Sequence, residues 1–147
     1  MTSKQSAVCT LWLNRLVICI MALLCFTLYD LLVWYSHVRG LAWQICTAIL
    51  VGFYLCTPAV FYALWCIEKL LSNILREAVF VMDNVRFIRR IRWCCAAVSA
   101  ICLVTGMVYP PLIFLAVIMA FLAMVVSVVK NVMAAAVELR EENDLTV

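Results

Sequence analysis

The chain has little of what enzymes commonly use. It carries 3 glycines, 3 prolines and 1 histidine in 147 residues, and only 13% of its residues are charged. With one histidine and three scattered glycines, no Ser/His/Asp set, pocket of paired carboxylates or phosphate-cradling glycine loop can be assembled, so catalysis finds no support in the residues. Cysteine is plentiful, with 9 residues at positions 9, 19, 25, 46, 56, 66, 94, 95 and 102, yet none stands in a Cys-x-x-Cys pair and His37 is isolated among them. No metal or other cofactor is therefore expected. Cysteines placed in apolar runs serve as small packing residues, and the Cys94-Cys95 pair, in a reducing cytosol, is not expected to form a structural disulfide.

What the chain has in excess is uncharged length. Residues 93–129 form a run of 37 without a charged side chain, divided by Pro110-Pro111, and residues 40–67 form another of 28. Residues 16–35 make a third apolar segment, interrupted only by Asp30. Such runs are too long for the core elements of a soluble domain and long enough to cross a bilayer as helices. The expected fold class is all-α, a polytopic integral membrane protein with four transmembrane helices at about 16–36, 43–66, 93–109 and 112–129. A composition that is 69% hydrophobic leaves no room for a separate soluble domain, so 1–147 reads as one transmembrane unit. The first apolar segment lacks an Ala-x-Ala cleavage site and is read as retained.

Basic residues near span ends stay on the cytoplasmic side. With both termini inside, Lys4, Arg15, Lys69, Arg76, Arg86, Arg89, Arg90, Arg92, Lys130 and Arg140 are all cytoplasmic and only Arg39 is outside. The net charge of +3 then records topology and says little about partners. The outer loops, about 37–42 and 106–111, are minimal. Polar sequence collects on the inner side, in the 67–92 connection and the tail 130–147.

Within that connection Leu70, Leu71, Ile74, Leu75 and Ala78 recur at helical spacing, so the second span is expected to run on as an amphipathic helix. Asp83 is expected to cap a second short helix whose apolar stripe is Val85, Ile88 and Ile91, with Arg86, Arg89, Arg90 and Arg92 around the other faces. This amphipathic cytoplasmic elbow either lies at the headgroups, arginines on lipid phosphate, or docks a cytoplasmic partner. It lacks the aromatic stacking residues and folded basic face of a nucleic-acid binder, so direct nucleic-acid binding is not expected. In the tail, Val128, Val129, Val132, Met133, Ala136 and Val137 continue a helical face before Glu138, Arg140, Glu141, Glu142 and Asp144 turn it acidic. Acidic tail and basic elbow invite intramolecular pairing, each exposed pair being worth under about 1 kcal/mol.

The run Leu70-Leu71-Ser72 to Phe80, followed by Asn84, Ile88, Ile91 and Cys94-Cys95, together with the ending Glu141-Glu142-Asn143-Asp144-Leu145-Thr146-Val147, resembles the YoaS-like family, bacterial four-span membrane proteins of unknown function. The resemblance covers most of the chain in span order, and the acidic Asp-Leu-Thr-Val terminus is its most specific element. It implies a bacterial cytoplasmic membrane location. It also implies a link to a small helix-turn-helix DNA-binding protein, since such a protein is commonly encoded beside family members. It supplies no catalytic residues. The short loop between the third and fourth spans departs from some relatives and weakens a shared extracellular sensing role.

Asp30 is the one acid inside a span, which by default marks a functional candidate, although Trp34 and Tyr35 place it near the outer interface. His37 lies about 10 Å further along the axis, too far for a direct hydrogen bond. Two functions follow as expectations. The first is a regulatory or scaffold protein that binds the small helix-turn-helix regulator through Arg86, Arg89, Arg90 and Arg92 of the elbow and Glu138, Glu141, Glu142, Asp144, Leu145, Thr146 and Val147 of the tail. The second is a small homo-oligomeric channel, transporter or immunity component acting through its spans around Asp30. A third use of the terminus, strand addition of Leu145-Thr146-Val147 to a PDZ-like groove, rests on three residues only.

Overall fold

A computed structural model describes residues 3–76 and 81–146. They form four α-helices: α1 (Ser3–Arg39), α2 (Trp43–Leu75), α3 (Met82–Gly106) and α4 (Pro111–Leu145). Ala78, Val79, Phe80 and Val147, which the sequence reading had used, lie outside the described residues, as do the side chains of Lys4 and Asp144.

The helix ends follow local chemistry. Gly40 takes a φ of 63°, which stops α1 in a left-handed turn in which the Gly40 amide donates to the Ser36 carbonyl at 2.8 Å. Pro110 and Pro111 open α4, where the missing amides cost nothing because first-turn donors have no helical partner. Pro58 sits inside α2 and denies the Tyr54 carbonyl its usual amide. The expected cap at Asp83 is corrected: Val81 occupies that position, and Asp83 falls in the first turn, where its carboxylate meets the helix dipole and receives Arg86 at 3.2 Å.

At about 1.5 Å per residue, α1, α2 and α4 are roughly 55, 50 and 52 Å long, against a hydrocarbon thickness of about 30 Å. These three are long and apolar enough to cross a membrane. The third differs from expectation, because the uncharged part of α3, residues 93–106, covers only about 21 Å before the chain turns. Residues 82–92 belong to that same continuous helix, so the elbow is no separate element laid across a surface. Likewise the tail continues α4 to Leu145 without a break.

Only helices consecutive in sequence lie against one another among the described residues: α1 on α2, α2 on α3, and α3 on α4. The molecule is an open layer and not a closed bundle. Its core sits on α3, where Val98 and Cys102 meet Ala116 of α4 with Cys56, Ala59, Val60 and Met119 packed around them. Gly52 of α2 lets Thr105 of α3 approach so closely that a Cβ there would stand 2.6 Å from the Thr105 Oγ1. Ser99 donates to the Ala116 carbonyl at 2.8 Å and secures α4 to α3.

Candidate functional site

Aromatic residues mark two levels along the layer. Trp12 and Trp34 on α1 are separated by about 33 Å of helix, and so are Trp43 and Trp65 on α2. This spacing matches the two interfaces of a bilayer, where amphipathic rings are favoured. The α1–α2 pair is antiparallel, as shown by Asn14 donating to the Leu64 carbonyl at 3.2 Å and Tyr54 to the Cys25 carbonyl at 2.8 Å. Trp12 and Trp65 therefore share one level, and Trp34 and Trp43 the other.

Both short turns, 40–42 and 107–110, fall at the Trp34 end, so the surplus length of every helix collects beyond the Trp12 and Trp65 level. There the first residues of α1 and α3 and the last of α2 and α4 form a helical projection with its own interior. Leu71, Val85, Ile88 and Val137 are buried in it, and Asn84 is fully buried, accepting the Asn73 amide at 2.8 Å through its Oδ1. A buried amide pair of this kind fixes the α2–α3 register, since a slip would leave polar groups without partners. Arg15 reaches Glu68 at 3.1 Å and ties α1 to the same end.

The four elbow arginines occupy distinct settings. Arg86, Arg89 and Arg90 are exposed on one face of α3, whereas Arg92 is half-buried, 3.4 Å from the Ser127 hydroxyl and 5.3 Å from the centre of the Trp93 ring. Arg90 lies 5.8 Å over Phe87, whose ring meets Trp65 of α2 edge to face at 6.3 Å, and Lys69 lies 5.8 Å over Trp65. Lys69, Trp65, Phe87 and Arg90 thus form a row across the α2–α3 seam. On the other flank of Trp65 a cleft of about 310 Å³ opens between α1 and α2, lined by Leu11, Arg15, Glu68, Lys69 and Ser72. Trp65 and Phe87 had no role in the sequence reading, and Lys69 served there only as a marker of topology. A spacing signal existed for Trp65 and Lys69, four residues apart on one helix, but the partner ring came from another helix.

The expected pairing of elbow and tail does not form among the described residues. Glu138, Glu141 and Glu142 are exposed, and the ion pairs seen are Arg15 with Glu68 and Arg86 with Asp83. Register explains this. The contacts of Ser99 with Ala116 and of Arg92 with Ser127 set α3 and α4 antiparallel and bring Val137 level with the first turn of α3. The acids after it continue past the start of α3 and make no ion pair with its arginines among the described residues. Leu145 and Thr146 are exposed, the latter bonded only to its own helix.

Asp30 is exposed on α1, which among the described residues packs against α2, and it makes no hydrogen bond or ion pair with a described residue. Elsewhere an apolar cleft of about 230 Å³ lies among Met21, Gly52, Phe53, Cys56, Cys102 and Leu112. Its two hydroxyls, Thr57 and Thr105, donate to the Phe53 and Ile101 carbonyls of their own helices, so it offers an ion no polar path. The nine cysteines are free thiols, with Cys46, Cys66 and Cys102 buried.

A family model for proteins of unknown function, DUF2975, matches residues 16–147. The chain belongs to the DUF2975 family. That match takes in α1 from Leu16 onward and the whole of α2, α3 and α4, including the arginine face of α3 and the acidic end of α4. No curated protein and no solved structure matches the chain. The DUF2975 assignment carries no activity with it, so function must be argued from the projection itself.

Proposed function

We propose that the chain is a four-pass protein of the bacterial cytoplasmic membrane, with both termini in the cytoplasm. In this reading it is a regulatory scaffold whose projecting helix ends hold a small helix-turn-helix DNA-binding protein at the membrane. The observation that carries it is the collection of all surplus helix length, with its exposed arginines and acids, at one end of the layer. Ten of eleven basic residues fall at that end, which favours a cytoplasmic orientation. A helix-turn-helix surface is itself basic, so the exposed Glu138, Glu141 and Glu142 suit it. The YoaS-like resemblance supplies the class of partner.

The short apolar part of α3 is compatible with a span. It is flanked by α2 and α4, and the Arg92 head can reach toward the interface while its stem stays in apolar surroundings. The test is affinity purification from native membranes in mild detergent of the full-length chain and of one ending at Glu138. Recovery of a small helix-turn-helix protein with the full chain alone supports the tether. Recovery of nothing but the chain itself overturns it.

Asp30 favours a second reading, an oligomeric channel, transporter or immunity component, because an acid on the exposed face of α1 is placed for contact with another copy. Loss of liposome flux on Asp30→Asn would support that reading; flux equal to wild type would remove it.

A further inference from the structure

The row Lys69, Trp65, Phe87 and Arg90 shares only Arg90 with the tethering reading and no residue with the pore reading. Its cations are held, not loose: Lys69 rests 5.8 Å from the Trp65 ring centre and Arg90 5.8 Å from that of Phe87. The rings brace each other across two helices at 6.3 Å, and Tyr62 stacks on Trp65 at 5.9 Å. Trp65 is 45% exposed, so the platform faces outward and is no core cluster. It stands at the aromatic level where helix passes from apolar to charged sequence, and the cleft beside it brings Arg15 and Ser72 close. Arg15 is engaged by Glu68, whereas Lys69 and Arg90 have no carboxylate partner among the described residues.

The geometry points to a binding site for the headgroup of an anionic phospholipid. Lys69 meets its phosphate with the Ser72 hydroxyl beside it, Arg90 adds positive charge from the far end of the row, and the acyl chains run along Tyr62, Trp65 and the apolar length of α2. Charge complementarity selects this occupant: two unpaired cations flank an aromatic floor at interfacial height, and a zwitterionic headgroup would bring its own cation against them. A basic site at this level favours anionic lipid by about fivefold per cation, hence about 25-fold for the pair.

The inference stands apart from the tethering proposal and is tested without any protein partner. The full-length protein, purified in a neutral detergent, is titrated with phosphatidylglycerol and with phosphatidylcholine, and bound lipid is counted by native mass spectrometry. Phosphatidylglycerol should bind preferentially. Lys69→Gln with Arg90→Gln should lower that preference by about 25-fold. Arg39→Gln at the opposite end should leave it unchanged, and Lys69→Arg with Arg90→Lys should retain most of it. Equal binding of the two lipids by the wild type would overturn the proposal, as would a double variant that keeps its preference at an unchanged melting temperature. Displacement of the lipid by inorganic phosphate would overturn it too, by marking the site as one for a soluble anion.

Discussion

The first helix and the third are held in opposite ways. Among the described residues α1 lies against α2 alone; it buries Ala7, Leu28 and Leu32 and makes polar links spaced along its length: Asn14 to the Leu64 carbonyl, Arg15 to Glu68, and Cys25 through its carbonyl to Tyr54. α3 has a neighbour on each side and joins them by close packing, with Gly52 against Thr105 and Val98 and Cys102 against Ala116. In hydrocarbon, burying apolar surface between helices gains little over burying it in lipid, so fit and hydrogen bonds decide what holds. The difference implies that α2, α3 and α4 form the rigid part, with α1 attached at a few points.

The strongest way to break that comparison is Gly52→Val, whose Cβ would stand 2.6 Å from the Thr105 Oγ1. A loss of about 1–3 kcal/mol or more is expected, read as a lower melting temperature in detergent. Thr105→Ala in the same chain should recover part of it. Next is Asn84→Leu, which strips the Asn73 amide of its 2.8 Å acceptor inside the projection. It should cost about 1–3 kcal/mol and speed proteolysis at the end of α2 and the start of α3 while leaving the apolar half protected. Tyr54→Phe removes one α1 link and should cost about 0.6 kcal/mol, detectable as faster exchange in α1 alone. Arg15→Gln should be smallest, well under about 1 kcal/mol and less still at high salt, because that pair is open to water. If Tyr54→Phe proved as damaging as Gly52→Val, the division into core and attachment would be wrong.

Helix identity was legible because it rests on local signals. Uncharged runs, the Pro110-Pro111 break and Gly40 mark where helices exist and turn, and the apolar face of Leu70, Leu71, Ile74 and Leu75 foretold the extension of α2. Register was not legible. Nothing local says that Thr105 seats on Gly52, that Phe87 meets Trp65, or that Asn73 pairs with Asn84, since each contact joins residues on different helices. The Arg86 to Arg92 cluster was visible as charge, but four arginines looked equivalent in sequence. The fold separates them into an exposed trio and a half-buried Arg92. The expected cap at Asp83 failed because the cap position falls two residues earlier at Val81, leaving the acid a dipole partner and no cap.

The arrangement in which each helix rests only on its immediate neighbours in the chain has a consequence for biogenesis. As the polypeptide leaves the ribosome, α2 finds its docking surface on α1 already made, α3 finds α2, and α4 finds α3, so no helix waits in the bilayer for any but the next one synthesised. Assembly can follow the order of synthesis, because among the described residues the contacts between helices join only neighbours in the chain. Closing the layer into a ring would forfeit that property, because α1 would then depend on the last helix to arrive.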